Sequence, residues 1–237
     1  MNRPLSLFIL ALMSLSPAIR AQDANLPPPV RIRAVLHDPV RQTAELFYPD
    51  SFGAVQPLAF RPVDFTETVL MQPVNGCLVL FDKAIIDPKN PEASLAGSVK
   101  LPPDFQQGIM LVMPAQKGAK YAYQMLLIDD SPKAFPGGES ILISFLNLDV
   151  AVQAGEHKIL VPPGGIARLP MTTQVNEYSM AQTNFYYQHK GSWMAFSERQ
   201  LQYRDVCRRL FIVHTTPGAL QPSVTTIVDV MRNVPPR

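Results

Sequence analysis

The sequence has few charged residues and little cysteine. Charged side chains make up 17% of the 237 residues, and only two cysteines are present. So small a number of cysteines excludes a domain that depends on a disulfide framework. In an oxidising compartment Cys77 and Cys207 can form a single disulfide, and the alternative is that both are separate buried thiols.

The short motifs of several enzyme classes are absent. There is no G-x-S-x-G nucleophile elbow, no H-E-x-x-H zinc motif, no C-x-x-C pair and no phosphate-binding glycine loop. The four histidines are scattered, without the spacing of metal ligands. Catalytic groups can also meet from distant parts of a chain, so this absence only lowers the expectation of catalysis. We predict no cofactor, no metal and no catalytic residue.

An excess of positive charge is also absent from the expected mature chain. The full sequence has 21 basic and 19 acidic residues, and removal of the first 21 residues takes away Arg3 and Arg20 but no acid. The remaining chain is formally neutral. A neutral surface gives no general attraction to nucleic acid or to anionic lipid, so neither is an expected partner.

The N-terminus has the pattern of a cleavable signal peptide. Arg3 precedes an apolar run over residues 5–15, Ser16-Pro17 ends the run, and Ala21 or Ala18 precedes the expected cut. The run is shorter than the roughly 20 residues that cross a membrane, and no later segment is apolar enough to do so. The sequence therefore predicts a periplasmic or extracellular protein with no stable membrane insertion after cleavage.

Short apolar runs separated by proline and glycine predict an all-β fold. The 24 prolines and 12 glycines fall mainly between these runs. From Val30 onward the apolar residues alternate, with Ile32, Ala34 and Leu36 on one side, as in a half-buried strand. Sixteen such segments can be distinguished, seven before residue 115 and nine after it. The best helix candidate covers residues 172–182 and has poor periodicity.

The strand pattern predicts two consecutive immunoglobulin-like β-sandwich domains, since about seven short strands are typical of one such sandwich. The expected organisation is a signal peptide at 1–21, an extended leader at 22–29, a first sandwich at 30–115, a polar linker at 116–120 and a second sandwich at 121–237.

Internal duplication is one explanation of the similarity between the two halves. The strongly apolar runs 109–112 and 210–213 lie near the end of each half. The turns 73–76 and 162–165 lead into the runs 77–81 and 166–169. The other explanation is that any two sandwiches share the same rhythm of strands and turns.

The densest aromatic stretch, from Phe185 to Trp193, is the candidate binding region. Alternation puts Phe185 and Tyr187 on one face of a strand and Tyr186 on the other. Phe185, Tyr187 and Trp193 are the candidate binding residues, because exposed aromatics on a sheet can form a platform for a partner surface or a sugar ring. The alternative is ordinary core packing, since large aromatic side chains are usually buried.

Three functions are consistent with these observations. The first is a non-catalytic binding or structural module of a bacterial cell envelope, whose partner is an envelope protein or a polysaccharide. The second is a carbohydrate-binding module that uses the exposed aromatics. The third is an envelope hydrolase whose available polar groups are Asp129, Asp130, His37 and His189. The two aspartates are also candidate calcium ligands, and the alternative is an aspartate-rich turn.

Two consecutive sandwiches of this size resemble the architecture of pilus-assembly chaperones. Those proteins hold a partner along an exposed strand edge. The resemblance is one of architecture and not of motif, because the arrangement of basic residues expected in that family is not found in this sequence.

Overall fold

The computed structural model describes residues 27–38 and 44–231. Within these residues the chain forms sixteen β-strands and one short 3-10 helix, at Pro91–Ser94. The predicted all-β fold is confirmed. The expected signal peptide (1–21) and most of the expected leader lie outside the described residues. Among the described residues, no helix is long and apolar enough to span a membrane.

The first half of the chain folds into two four-stranded sheets. The strand order β4-β1-β7-β8 defines the first inner sheet, and the order β3-β2-β5-β6 defines the first outer sheet. Their bounds are β1 (Val30–Leu36), β2 (Leu46–Pro49), β3 (Val55–Leu58), β4 (Val69–Met71), β5 (Cys77–Phe81), β6 (Leu95–Lys100), β7 (Gln107–Pro114) and β8 (Tyr123–Asp129).

The second half also folds into two four-stranded sheets. The order β12-β9-β15-β16 defines the second inner sheet, and the order β11-β10-β13-β14 defines the second outer sheet. Their bounds are β9 (Ser140–Ser144), β10 (Val150–Ala154), β11 (His157–Val161), β12 (Ile166–Leu169), β13 (Met180–His189), β14 (Ser192–Gln202), β15 (Cys207–His214) and β16 (Ser223–Val230).

The two halves have the same topology. Each strand of the second half occupies the place of the strand eight positions earlier in the chain, in both the inner and the outer sheets. Each inner sheet is centred on a parallel pair, β1 with β7 and β9 with β15. The architecture is therefore repeated. Immunoglobulin sandwiches are built from antiparallel sheets, so with these parallel pairs the immunoglobulin-like type stays a prediction.

The structure corrects part of the expected correspondence between the halves. The runs 109–112 and 210–213 do lie in equivalent strands, β7 and β15. The runs 77–81 and 166–169 do not, because they form β5 and β12, which occupy an outer and an inner sheet. The helix candidate at 172–182 forms no helix in this described region, and β13 already begins at Met180.

The segment expected to be a linker lies within the first half. Residues 116–120 form the turn between β7 and β8, which pair in antiparallel register from Gly108 with Asp129 to Pro114 with Tyr123. β8, expected to open the second sandwich, thus completes the first inner sheet. The chain passes to the second half in the segment 130–139.

The four sheets stack as layers, with the two inner sheets face to face. Alternate residues of each strand point to opposite faces, so each inner sheet contributes to two cores. One core fills each sandwich, and a third fills the space between the inner sheets. The third core is formed by buried aliphatic and aromatic residues from both halves: Val35, Phe65, Ile109, Leu111, Met113, Ile128, Phe135, Ile141, Ile143, Leu210, Ile212 and Ile227.

Candidate binding face

The structure separates the three aromatic residues that the sequence suggested as a platform. Phe185 is fully buried and Tyr187 is 9% exposed, and Phe185 belongs to the core of the second sandwich. Trp193 is 43% exposed. Phe185 and Tyr187 therefore cannot face a partner together with Trp193 in the folded chain, and for these two residues the core alternative applies.

The register of the β13–β14 hairpin explains this separation. The turn has two residues, Lys190 and Gly191, both with positive φ (49° and 80°), as in a type I′ turn. A two-residue turn pairs Trp193 with Gln188, which lies on the side of the strand that carries Tyr186. Any two-residue turn at this place puts Trp193 on the same side of the hairpin as Tyr186, so the sequence contained the signal that places these two residues on one face.

A β-bulge keeps the remaining aromatic side chain of β14 in the core. Tyr186 pairs with Ala195 and Phe185 with Ser197, which leaves Phe196 as the extra residue. The ring of Phe196 lies 6.2 Å from that of Phe185 and 5.9 Å from that of Tyr187, measured between centroids. The bulge thus adds an aromatic ring to the core and leaves Ala195 and Trp193 facing outward.

The outward-facing side of the second outer sheet, here called the binding face, carries an apolar row. Leu160, Ala151, Tyr186 and Ala195 lie in register across β11, β10, β13 and β14. Leu160 is 59% exposed, whereas Ala151 is 2% exposed beneath its larger neighbours. Trp193 lies two residues before Ala195, opposite Gln188 in the neighbouring row, and widens the apolar surface. Because two of the four positions are alanine, the row is flat.

Polar side chains cover the binding face next to the apolar row. The adjacent row consists of Lys158, Gln153, Asn184 and Glu198, and the row after it contains Gln182 and Gln200. The Nε2 group of Gln182 donates a hydrogen bond of 2.8 Å to Oδ1 of Asn184. The single lysine and single glutamate lie on opposite edge strands, so the two rows carry no net charge and offer mainly amide donors and acceptors.

The equivalent face of the first sandwich is covered by its own chain. The outward side of the first outer sheet carries Phe47, Val79 and Phe81, which are all buried. Ile86, from the segment 82–94 between β5 and β6, packs against them. In the second half the matching connection is the two-residue turn Lys190-Gly191, which is too short to fold back over the sheet. The binding face is therefore open.

The two cysteines are not positioned to form a disulfide. Both are free thiols, Cys77 in β5 of the first outer sheet and Cys207 in β15 of the second inner sheet. The first inner sheet lies between these two layers. Packed sheets are about 10 Å apart, so the two residues are roughly 20 Å apart, whereas a disulfide requires Cα atoms within about 7 Å. The alternative of two separate thiols applies.

The polar residues considered for a hydrolase are not brought together. Asp129 accepts a hydrogen bond from the backbone N–H of Ser131 (2.8 Å), as expected for a turn. Asp130 binds Arg33 and Arg208, and His189 ends β13 in a different sheet. His37 follows β1 at the opposite end of the inner sheets. In the described residues, no cluster of three histidine, cysteine or acidic side chains could hold a metal ion.

A four-residue ionic cluster closes one end of the space between the inner sheets. Arg33 binds Asp130 and Asp229, each at 2.8 Å, and Arg208 binds the same two carboxylates, with the Asp130 contact at 2.8 Å. The aspartates occupy equivalent places, because Asp130 follows β8 opposite Gln107 and Asp229 lies in β16 opposite Arg208. Burial alone raises the pKa of Asp229, but the hydrogen bonds and charges of Arg33 and Arg208 outweigh it and hold the pKa below its usual value.

A histidine pair lies at the other end of the same interface. The rings of His37 and His214 meet edge to face with centroids 4.5 Å apart, beside a cavity of about 220 Å³. Nε2 of His37 is buried and has no hydrogen-bond partner among the described residues. Burial, and secondarily the charge of His214, lowers the pKa of His37 to about 4, and burial also lowers the pKa of His214. Both rings are therefore neutral at physiological pH.

The chain matches no protein-family model, and comparison with curated proteins finds no significant match. The assignment of the site therefore depends on its geometry.

Proposed function

We propose that this protein is an exported, non-catalytic binding module of the cell envelope that contacts its partner through the binding face. The observation that carries the proposal is the contrast between the two outer sheets. One covers its apolar surface with its own chain, and the other exposes Trp193 and Leu160 beside the partly buried Tyr186. Exposed apolar side chains that are grouped together mark interaction sites more often than singly scattered ones do.

The proposed location outside the cytoplasm is supported by the signal-peptide pattern of residues 1–21. Expression of the full chain and N-terminal sequencing of the product test it. We expect the purified protein to begin at residue 19 or 22 and to fractionate with the periplasm or the medium. A product that begins at Met1 and stays in the cytosol contradicts this part of the proposal.

Binding to isolated cell-envelope fractions tests the role of the face. Trp193→Ala and Tyr186→Ala should each weaken co-sedimentation of the mature protein with the fraction, because each removes an aromatic ring from the binding face. Phe52→Ala is the matched control, since Phe52 is 93% exposed in the β2–β3 turn of the other sandwich. If all three variants sediment like the unchanged protein, the binding face is not the contact surface.

A second candidate mode is addition of a partner strand to the edge of the second outer sheet. β14 has eleven residues and lies at the sheet edge. Across the gap to β16, the side chain of Arg199 donates to the carbonyl of Val224 and to Oγ1 of Thr226, both at 2.8 Å. A strand bound here would slow hydrogen exchange of the β14 amides, and unchanged exchange in the complex would rule it out.

A further inference from the structure

We infer that the ligand of the binding face is a neutral glycan chain that lies across the four strands of the second outer sheet. This inference depends on the proposed function, because it names the ligand of the same face. It follows from three properties of that face: the position of its aromatic rings, its flatness and its lack of net charge.

The aromatic rings are placed to contact the apolar face of a sugar ring. Tyr186 and Trp193 lie on the same side of neighbouring strands, and Trp193 is diagonal to Tyr186, at a separation that large side chains span. Ala195, between them on β14, and Ala151, next to Tyr186 on β10, add no bulk. A planar ligand can therefore lie against both rings at once. Two rings held by a rigid hairpin bind at a low cost in side-chain entropy.

The polar rows next to the aromatic rings match the hydroxyl groups of a glycan. Amide side chains both donate and accept hydrogen bonds, and Gln153, Asn184, Gln182 and Gln200 supply four of them on one side of the apolar row. The bond between Gln182 and Asn184 leaves each amide with further donors and acceptors. A sugar, with hydroxyls at its rim and C–H groups on its face, fits an apolar row bordered by amides.

The charge of the face favours an uncharged ligand. Lys158 and Glu198 stand at opposite ends of one row and give it no net charge, so no excess of one sign attracts an acidic polymer or a basic peptide. A protein partner is the less favoured occupant. Protein interfaces bury about 800 Å² on each side around a desolvated apolar centre, whereas here the apolar residues form a single row with amides beside it.

The single tryptophan of the sequence gives a direct measurement. Because Trp193 is the only tryptophan, the selectively excited tryptophan fluorescence of the full mature protein reports on this face alone. Titration with a soluble neutral polysaccharide, such as a β-glucan, a xylan or a galactomannan, should shift the emission to the blue and protect it from iodide. Alginate is the anionic counterpart and should cause no change. The response to the neutral polymer should persist in 1 M sodium chloride, because no ion pair contributes to it.

Variants identify the residues that carry the binding. Tyr186→Ala should weaken the affinity about tenfold or more, and Gln153→Ala by a smaller factor, while Phe52→Ala should leave the titration unchanged. Because the Trp193→Ala variant contains no tryptophan, its binding is measured by co-sedimentation with insoluble neutral polysaccharide. Purified peptidoglycan, tested in parallel, distinguishes a glycan strand of the wall from a free polysaccharide.

Two results would overturn the inference. One is no response to any neutral polysaccharide or to peptidoglycan while Trp193→Ala and Tyr186→Ala still reduce sedimentation with envelope fractions; the proposed function then stands and the ligand is not a glycan. The other is a response to alginate alone that salt abolishes. If the face variants change neither assay, the proposed function fails together with the inference.

Discussion

The two sandwiches share a topology but differ in what covers their outer sheets. In the first, thirteen residues connect β5 to β6, and Ile86 from this segment packs on Phe47, Val79 and Phe81. In the second, Lys190-Gly191 connects the equivalent strands, and the outward side of the sheet keeps Trp193 exposed. The architecture is therefore repeated while the covering of the outer face is not, and under the proposed function the first half is structural and the second binds the partner.

The two sandwiches also differ in how their inner and outer sheets meet along one side. In the first half β6 lies close against β8, where a Cβ added to Gly97 would be 2.8 Å from the sulfur of Met125. In the second half the equivalent strands β14 and β16 are joined by the side chain of Arg199. The strands at this side of the molecule are thus packed closely in the first sandwich and are bridged by a side chain in the second.

The largest expected change in the free energy of unfolding comes from an aromatic residue on the covered face of the first outer sheet. Phe47→Ala should lower the free energy of unfolding by about 3–5 kcal/mol, because it leaves a cavity under the segment 82–94. Trp193→Ala, on the open face, should change it by no more than about 0.5 kcal/mol. Urea unfolding of the two variants measures both values. Equal losses would mean that the two faces are covered alike.

The ionic cluster tests whether the halves are held together by charge as well as by the shared core. Asp229→Asn should lower the free energy of unfolding by about 3 kcal/mol, because it leaves the guanidinium of Arg208, itself 4% exposed, with one carboxylate partner fewer. Glu67→Gln is the control, since Glu67 binds Arg61 at the surface and exposed pairs contribute about 0–1 kcal/mol. A loss no larger than that of the control would contradict a structural role of the cluster.

The histidine pair predicts a loss of stability in mild acid. The pKa of His37 is lowered from 6.5 to about 4 in the folded chain, so the unfolded chain binds a proton over this range and the folded chain does not. The free energy of unfolding should therefore fall by about 2–3 kcal/mol as the pH drops from 6.5 to 4. Asp229 of the ionic cluster, whose pKa is held below its usual value by Arg33 and Arg208, affects stability only at lower pH.

His37→Phe should reduce the slope of stability against pH in this range. Phenylalanine is the matched replacement because Phe145 holds the equivalent place: the N–H of His37 donates to the carbonyl of Val112, and that of Phe145 to the carbonyl of Val213. Chemical unfolding at a series of pH values gives the slope. His189→Phe, at an exposed histidine of the binding face's sheet, serves as control. An unchanged slope in His37→Phe would show that the pair does not resist protonation.

The smallest expected effect concerns the segment 82–94, which covers the first outer sheet. Ile86→Ala should cost about 1–2 kcal/mol, because the side chain is partly buried against Phe47, Val79 and Phe81. Ile85→Ala removes the same atoms from a neighbouring side chain that is 86% exposed and should cost close to nothing. Thermal unfolding of both variants measures the difference. If Ile85→Ala is the more harmful change, the segment does not cover the sheet as described.

The strands were predictable from the sequence because their signals are local. Alternation of apolar residues between prolines and glycines located all sixteen strands, although β3 was expected at residues 58–61 and lies at Val55–Leu58. The weak helix candidate at 172–182 forms no helix. The segment 172–182 consists of a loop followed by the start of β13, whose residues alternate. Neither part has the apolar spacing of a helix, and the periodicity of the whole segment is therefore poor.

The pairing of strands and most of the site were not predictable in the same way. β1 pairs with β7 and Arg33 with Asp229, and no local pattern links residues so far apart in the chain. The binding face was half predictable. The aromatic stretch was recognised, and the two-residue turn could have assigned Trp193 to the side of Tyr186. Leu160 and Ala151 join the face only through the register of three strands, which the sequence does not reveal.

The parallel pairs at the centre of each inner sheet also determine when the molecule can be completed. β1 cannot pair with β7 until most of the first half has been synthesised, and Arg33 cannot meet Asp229 until the last strand is available. Such distant pairings make folding slow, because the entropy cost of closing a long loop must be met before the contacts between its ends can form. The contacts between the halves therefore form last, and an unfinished chain leaves the inner faces of its first half exposed to other chains until its second half arrives.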